Sequence, residues 1–246
     1  MSKPTYSFTT EFPVGAAESD LFGRLKPSAL QRFIQDTSTL HTIELRVTRE
    51  ELIEAAGAIW ILMRIRFTLE RPVLYGETLE LTTWPVHSTG ATFLREVEIK
   101  SNGKTVGNSS SLWVIADVST HKILRPAAVF EKIGGFPTED RHFAPPDKFS
   151  APEILTSAEA YRVGYSDTDM NGHVNNVRYA DFACNALRFD TMPDLYAKTL
   201  QISYLSECIP GEVLGFETGV SDSGLYARGS TDGKANFEAL IETAKI

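Results

Sequence analysis

A weak internal repeat constrains the fold of this 246-residue sequence more than any other feature. The first half runs from a strand-like segment at 8–12 through a loop to a helical segment that begins at Pro27, and strand-like segments follow. The second half repeats this order, with a strand at 158–165, a loop at 166–173 and a helix at 174–189 before further strands. An element order that occurs twice predicts two copies of one α+β module.

Hydrophobic periodicity supports this division. Leu30, Phe33 and Ile34 recur at helical spacing. Pro27 is tolerated at the first turn of a helix, where its missing N–H is not needed. A short helix is expected at 48–56, and Asn102-Gly103 is typical of a two-residue hairpin turn. The strands predicted in the first half lie at 59–67, 78–86, 92–100 and 105–117, and those after the second helix lie at 200–205, 213–220, 225–230 and 235–242.

Proline and charge mark the junction between the halves. Four prolines and many charged residues occur between 137 and 152, which predicts an extended linker at 137–156. The linker separates an N-terminal domain at 1–136 from a C-terminal domain at 157–246. The second helix carries small residues that allow a curved sheet to wrap closely around it: Ala180, Ala183, Cys184 and Ala186. We therefore predict a tandem (double) hot-dog of the α+β class, with two antiparallel sheets each wrapped around a long helix.

Composition limits the classes of function. No apolar run approaches the ~18 residues that a membrane helix needs, and the N-terminal segment lacks the apolar core of a signal peptide. Cys184 and Cys208 are too few for a disulfide framework, and no spacing suggests a metal site. The net charge of −8 disfavours nucleic acid as a partner. We expect a soluble cytoplasmic protein without a membrane, metal or cofactor association.

The segment from Tyr165 to Tyr179 holds the richest set of polar residues. It reads YSDTDMNGHVNNVRY and contains Asp169, Asn171 and His173 at alternate positions. This Asp-x-Asn-x-His-Val-Asn-Asn run, with Glu-Cys at 207–208, resembles the signature of the acyl-acyl-carrier-protein (acyl-ACP) thioesterases of plant plastids and bacteria. The resemblance covers nearly the whole chain and includes the helix at 30–41 and the Trp-Ile-Leu-x-Arg strand at 60–64.

The resemblance implies hydrolysis of the thioester between a fatty acyl chain and the phosphopantetheine arm of acyl carrier protein. It places catalytic positions at Asp169, Asn171, His173 and Glu207, with Cys208 beside them. Two routes remain open. His173 and Glu207 could orient and deprotonate a water while the amide of Asn171 polarises the carbonyl, or Cys208 could attack as a thiolate. Because the adjacent Glu207 raises the thiol pKa, water attack is the preferred interpretation.

The two copies differ at the positions that matter for this chemistry. The first copy keeps acids at Asp20 and Glu70, opposite the acids of the second copy. It has Phe22 and Arg24 in place of the amide and the imidazole. We therefore expect one active site per chain, with the first half supplying the acyl pocket. Four apolar side chains are candidates for binding the acyl chain: Phe33, Trp60, Leu62 and Met63.

Three alternative functions are kept: an acyl-CoA thioesterase, a hot-dog dehydratase of 3-hydroxyacyl thioesters, and a non-catalytic acyl-binding module. The expected partner is acyl carrier protein, which is acidic. Five basic residues are therefore candidates for a positive rim: Arg24, Lys26, Arg178, Arg188 and Lys198. The fused halves could act as a monomer or pair as a homodimer through an exposed sheet edge.

Overall fold

The computed structural model describes residues 5–87 and 90–246, which form two compact units. Of the described residues, unit 1 holds those within Met1–Pro13, Phe33–Ile65 and Thr78–Pro146. Unit 2 holds Val14–Arg32, Arg66–Glu77 and Asp147–Ile246. Each unit combines separate stretches of sequence, so the domain boundaries expected from the linker stay a prediction. The first four residues, on which the expectation about a signal peptide partly depends, lie outside the described residues.

The strands of unit 1 follow the order β1-β3-β4-β5-β2. β1, β3, β4 and β5 are paired antiparallel. Asn102 and Gly103 link β4 to β5 with positive φ angles of 52° and 72°, so the predicted hairpin is confirmed. The five strands are β1 (Phe8–Pro13), β2 (Ala58–Leu69, whose end lies in unit 2), β3 (Thr78–Val86), β4 (Thr92–Ser101) and β5 (Lys104–Asp117).

Three helices contribute to unit 1: α1 (Pro27–Glu44, whose first turns lie in unit 2), α2 (Arg49–Ala56) and α3 (Pro126–Ile133). α1 begins at Pro27 as predicted. α2 begins after Thr48, which forms a capping box with Glu51, and ends at Gly57 in the left-handed conformation. α3 was not predicted, although Pro126 at its start is a helix-start signal.

An apolar cluster holds α2 and α3 in unit 1. The two helices contact each other, and Leu52 of α2 and Val129 of α3 are buried with Phe93 and Ile115. At ~25 cal/mol per Å² of buried apolar surface, side chains of this size contribute about 1.5–3 kcal/mol each. Tertiary packing therefore stabilises α3, which at eight residues is too short to be stable alone.

Unit 2 has the strand order β7-β10-β9-β8-β6, and every neighbouring pair is antiparallel. Its helix α4 (Arg178–Ala186) contacts β8, β9 and β10. Gly229 on β9 leaves room for the ring of Phe237, because a Cβ atom there would lie 2.3 Å from the ring. The strands are β6 (Thr156–Arg162), β7 (Leu195–Tyr204), β8 (Val213–Ser221), β9 (Gly224–Thr231) and β10 (Lys234–Lys245).

The second helix is shorter than predicted. α4 has nine residues, whereas the sequence predicts a helix at 174–189. Its expected first turn is not helical because Val174 forms a bridge with Thr168 and Asn175 N–H donates to the main-chain oxygen of Asp167. At the other end, Arg188 adopts a positive φ of 58°. Among the described residues, no helix has both the length and the apolar character needed to cross a membrane.

Candidate active site

A buried carboxylate that the sequence analysis did not single out anchors the loop between β6 and α4. The side chain of Asp167 accepts hydrogen bonds from Gly164 N–H (2.8 Å) and the Tyr161 hydroxyl (2.9 Å). The Arg178 guanidinium donates to the same carboxylate at 3.1 Å in an ion pair. The main-chain oxygen of Asp167 accepts from Asn175 N–H at 2.9 Å. Asp167 therefore ties both ends of the loop together.

Asp169 closes a tight turn within this loop. Its carboxylate accepts from Asn171 N–H at 2.8 Å, and its own N–H donates to the His173 carbonyl at 3.1 Å. Gly172 N–H donates to the carbonyl of Asp169 at 3.0 Å, and Gly172 has a φ of +83°, which favours glycine. These hydrogen bonds show that Asp169 fixes the backbone of the loop.

A backbone hydrogen bond places the imidazole of His173 beside the carboxylate of Glu207. Val174 N–H donates to the Cys208 carbonyl at 2.8 Å, so the residues that precede them are neighbours. Nε2 of His173 lies 3.8 Å from Oε1 of Glu207, and Nδ1 lies 3.3 Å from the Val174 carbonyl oxygen. Since a carbonyl only accepts, the neutral form of this imidazole has its proton on Nδ1 and a lone pair on Nε2. The two side chains are 26% and 51% exposed, so a substrate can reach them.

Asn171 lies on the exposed side of the loop. Its main-chain N–H is bonded to Asp169. Within residues 5–87 and 90–246, its side-chain amide has no hydrogen-bond partner and makes no polar contact with His173 or Glu207. The structure thus places His173 beside Glu207, and the carboxylate of Asp169 bonds within the loop. The side-chain amide of Asn171 is accessible to a ligand.

Cys208 is buried, with Sγ 3.9 Å from the hydroxyl of Thr231. Burial, followed by a hydrogen bond with Glu212, raises the pKa of the Cys208 thiol to about 12. The sequence argument attributed a raised thiol pKa to Glu207, whereas the main causes in the structure are burial and Glu212. Burial also raises the pKa of Cys184. The part of the chain that the structure describes holds no group of three or more His, Cys, Asp or Glu side chains suited to a metal ion.

Buried polar side chains that sequence reasoning missed hold the start of α4. The amide of Gln31 donates to the carbonyl of Asn176 at 3.0 Å and to the hydroxyl of Tyr204. That hydroxyl donates to the same carbonyl at 3.2 Å. Burial raises the pKa of Tyr204 and of Tyr179, so both phenols stay protonated. Nothing local in the sequence marks Gln31, because its partners lie far along the chain.

The first copy of the loop, which also lies in unit 2, has the same backbone bonds. Asp20 accepts from Phe22 N–H at 2.9 Å, and its own N–H donates to the Arg24 carbonyl at 2.7 Å. Gly23 has a φ of +76° and donates to the carbonyl of Asp20 at 3.0 Å. Arg24 therefore occupies the imidazole position. It is buried, pairs with Asp20 at 2.7 Å and donates to the carbonyl of Met192 at 2.9 Å.

The counterpart of Glu207 differs from the one inferred from the sequence. Leu25 N–H donates to the carbonyl of Val73 at 2.8 Å, the same bond that fixes the second copy. The residue before Val73 is Pro72, so Pro72 corresponds to Glu207. The predicted alignment of Glu70 with Glu207 is wrong because the register of the two copies follows these backbone bonds. The first copy thus lacks the acid as well as the imidazole and the amide.

The basic residues expected at a positive rim are mostly engaged with acids. Arg24 is buried, so its expected place on an exposed rim is wrong. The other ion pairs join Arg178 to Asp167 and Asp181, Arg188 to Asp190, and Lys198 to Glu242. These pairs lower the local positive charge. Among residues 5–87 and 90–246, Lys26 is the one member of the predicted set that is neither buried nor in an ion pair with an acid.

The residues expected to bind the acyl chain lie in unit 1, which contains a cavity of about 190 Å³. Four aromatic side chains form much of its wall: Trp60, Phe93, Trp113 and Phe136. The indole of Trp60 is fixed by donating to the Val47 carbonyl at 3.1 Å. Phe33, Leu62 and Met63 are not part of the lining. Phe33 and Leu62 are buried, and Met63 is half-buried.

Comparison with known sequences assigns both halves of the chain. The family model described as the acyl-ACP thioesterase N-terminal domain matches residues 5–132, and the model of the C-terminal domain matches residues 153–242. The chloroplastic acyl-[acyl-carrier-protein] hydrolase of Cuphea viscosissima is 26% identical over 175 residues, which cover 68% of this chain and 42% of that protein. The chain therefore spans less than half the length of this relative.

Two solved structures share the fold. An acyl-ACP thioesterase from Bacteroides thetaiotaomicron matches with a TM-score of 0.80 and 20% identity, over 99% of this chain and 100% of that chain. The 12:0-ACP thioesterase from Umbellularia californica matches with a TM-score of 0.80 and 18% identity, over 100% of both chains. The predicted double hot-dog fold of the α+β class is confirmed by these matches.

Proposed function

Because the chain belongs to the acyl-ACP thioesterase family, we propose that it hydrolyses the thioester of fatty acyl-ACP and releases a free fatty acid. The observation that carries the proposal is the exposed pair of His173 and Glu207, with Nε2 and Oε1 3.8 Å apart. An imidazole with a free lone pair beside a carboxylate is suited to activating water. The first copy of the loop has the same backbone and lacks this pair, so one site per chain is proposed.

The geometry of the pair suits a water molecule held by both groups. With the proton on Nδ1 of His173, Nε2 and the Glu207 carboxylate are both acceptors. A water at ordinary hydrogen-bond distance from each donates one hydrogen to Nε2 and the other to Oε1. Both lone pairs of the water oxygen then point away from His173 and Glu207, and one of them can attack an incoming carbonyl carbon. Glu207 thus orients the nucleophile, and His173 acts as the general base.

The proton removed from water returns to the leaving group. As the water oxygen bonds to the carbonyl carbon, His173 takes a proton at Nε2 and the carbonyl oxygen becomes an oxyanion. The side-chain amide of Asn171, which has no partner among the described residues, is available to donate to this oxyanion. When the carbon–sulfur bond breaks, His173 protonates the thiolate. The products are the free fatty acid and the carrier thiol.

The surroundings of Cys208 disfavour the alternative route through a thiolate. With a thiol pKa of about 12, roughly one molecule in 10⁵ carries the thiolate at pH 7. The side chain is also buried and faces Thr231 rather than solvent. We assign Cys208 a packing role, and its main-chain oxygen holds Val174.

The acyl chain, the carrier and the cellular setting are parts of the same proposal. The aromatic cavity of unit 1 is proposed to take the acyl chain, with Trp60 in its wall. Phe33, Leu62 and Met63 remain proposed contributors to chain-length selection. The proposed partner is acyl carrier protein, the proposed location is the cytoplasm, and the proposed assembly is a monomer or a homodimer.

Hydrolysis of matched substrates tests the proposal. The purified protein is mixed with one fatty acyl group carried either by ACP or by coenzyme A, and the released fatty acid is quantified. We expect a higher kcat/KM for acyl-ACP. Faster turnover of acyl-CoA would instead favour the acyl-CoA thioesterase, and hydration or dehydration of a 3-hydroxyacyl or enoyl thioester without hydrolysis would favour a dehydratase.

The variant Cys208→Ala separates the two chemical routes. Water attack predicts that Cys208→Ala keeps most of the wild-type kcat and that no acyl group becomes attached to the wild-type protein during turnover. Loss of turnover in a folded Cys208→Ala protein, together with an acylated wild-type intermediate, would establish the thiol route instead. The melting temperature of the variant serves as the folding control.

A further inference from the structure

The cavity of unit 1 contains a cationic side chain in its wall. At about 190 Å³, the cavity is smaller than the ~300–1,000 Å³ of sites that enclose a whole drug-sized ligand. Its size therefore suits one end of a longer molecule. Besides the aromatic side chains, two arginines line it: Arg49, which is exposed, and Arg95 on β4, which is only partly accessible.

Arg95 is held in place by groups that do not neutralise its charge. Its Nη1 donates to Nδ1 of His41 at 3.0 Å and to the hydroxyl oxygen of Thr83 at 3.3 Å. Across residues 5–87 and 90–246, the guanidinium has no carboxylate within salt-bridge distance. Its other N–H groups have no acceptor there either, and the side chain is partly accessible and lines the cavity.

The neighbours of Arg95 are fixed as hydrogen-bond acceptors. Burial, and then the charge of Arg95, lowers the pKa of His41 to about 4, so the imidazole is neutral at pH 7 and accepts at Nδ1. The ring of His41 is stacked with Phe8. The Thr83 hydroxyl donates its own hydrogen to the Glu96 carbonyl at 2.9 Å and so offers Arg95 a lone pair. Burial lowers the pKa of Arg95 to about 10, which still leaves it charged at neutral pH.

A cation at the wall of a mostly apolar cavity is a poor match for a plain hydrocarbon. Taking a charged group out of water is unfavourable unless it is paired or hydrogen-bonded. A methyl or methylene group that displaced water from Arg95 would leave its N–H donors without acceptors. An oxygen atom at the same place would accept from them directly.

We infer that this cavity binds the distal end of an acyl chain that carries an oxygen atom there, as a hydroxyl, oxo or carboxylate group, through the N–H donors of Arg95. This inference rests on the proposed function, because it takes the cavity to hold the acyl part of the thioester. It narrows the substrate class from fatty acyl chains in general to chains with an oxygenated far end. A hydrogen bond to a charged donor corresponds to about a ten- to hundredfold preference in kcat/KM.

The test compares ACP substrates that differ only at the far end of the chain. Three acyl groups of equal length are used, one ending in a methyl group, one in a hydroxyl and one in a carboxylate. Each is hydrolysed by wild type, Arg95→Met and Arg49→Met. We expect wild type to prefer at least one oxygenated chain by about tenfold or more. Arg95→Met should lose this preference, because methionine offers no N–H donor to the oxygen atom.

Arg49→Met is the matched control, because it removes the exposed arginine of the same cavity. Arg49→Met should keep the preference for an oxygenated chain if a hydrogen bond from Arg95 is responsible. An equal loss of this preference in Arg49→Met and Arg95→Met would indicate general charge attraction and overturn the inference. If Arg95→Met does not fold, Arg95→Lys replaces it and should weaken the preference because a lysine cannot reproduce the guanidinium geometry.

The outcomes separate this inference from the proposed function. If the wild-type protein hydrolyses the plain chain at least as well as both oxygenated chains, the inference is overturned and the hydrolase proposal stays intact. Wild type that hydrolyses none of the three acyl-ACP substrates would overturn the proposed function and the inference with it.

Discussion

Replacing Asp167 by Asn should destabilise the protein and impair the candidate active site. The carboxylate has no accessible surface and accepts from Gly164, Tyr161 and Arg178 at 2.8–3.1 Å. Breaking a buried ion pair costs about 3–5 kcal/mol. We expect the lower end, about 3 kcal/mol, because the Arg178 side chain is 35% exposed and keeps its second pair with Asp181.

This change should be visible in both stability and activity. For a chain of this size, each kcal/mol shifts the melting temperature by about 2–4 °C, so Asp167→Asn should melt about 6–12 °C lower. Circular dichroism during heating measures this shift. The loop that carries Asn171 and His173 should also lose its fixed shape, so kcat/KM for acyl-ACP should fall at a temperature where the variant is folded.

The first copy of the loop supplies a matched control. Glu18 occupies the position of Asp167, because Lys26 N–H donates to its carbonyl as Asn175 N–H does to that of Asp167. Its ion pair with Arg32 is more exposed, at 43% and 21%, so Glu18→Gln should cost no more than about 1 kcal/mol. Equal melting temperatures for the two variants, with unchanged kcat/KM in Asp167→Asn, would refute the role assigned to Asp167.

Three further predictions concern other parts of the molecule. The pKa of His41 falls from 6.5 to about 4 on folding, so the unfolded state binds the proton more tightly. The free energy of unfolding should therefore decrease as the pH falls from 6.5 to 4, by about 3 kcal/mol over the whole range. The free energy of unfolding, measured by urea denaturation at a series of pH values, should depend less on pH between 4 and 6.5 in His41→Gln. An unchanged pH dependence would contradict the lowered pKa of His41. Gly229→Ala, whose Cβ would lie 2.3 Å from the Phe237 ring, should lower the free energy of unfolding by about 1–3 kcal/mol. The control Gly215→Ala, whose Cβ would have its nearest atom at 3.8 Å, should leave stability nearly unchanged. Equal melting temperatures for the two variants would argue against crowding at Gly229. Glu207→Gln should lower kcat at least about tenfold with stability within about 0.5 kcal/mol, and full activity would remove Glu207 from the mechanism.

Much of the fold was predictable because its signals are local. Pro27 at a helix start, Asn102-Gly103 in a hairpin and alternating apolar residues in strands each depend on near neighbours in sequence, and the structure has these elements close to the predicted positions. α3 was missed, although Pro126 and Gly134 mark its ends. The helix predicted at 174–189 was too long because the contacts of Val174 with Thr168 and Cys208 override local helix propensity.

The candidate site was only partly predictable because it depends on contacts between distant residues. The motif pointed to His173 and Glu207, and the structure brings them together through a backbone bond. Asp167 lies two residues before this motif, and its role depends on Tyr161 and Arg178, which no spacing rule connects to it. The sequence aligned Glu70 with Glu207 incorrectly, because the alignment of the two copies depends on backbone hydrogen bonds between distant residues.

The central claim is that His173 activates the water that cleaves an acyl thioester. The most direct measurement quantifies fatty acid released from acyl-ACP by wild type and His173→Ala side by side, with melting temperatures recorded for both. We predict release by wild type and a loss of at least about 100-fold in the variant at an unchanged melting temperature. Equal release by the two proteins, or none by wild type, would contradict the claim.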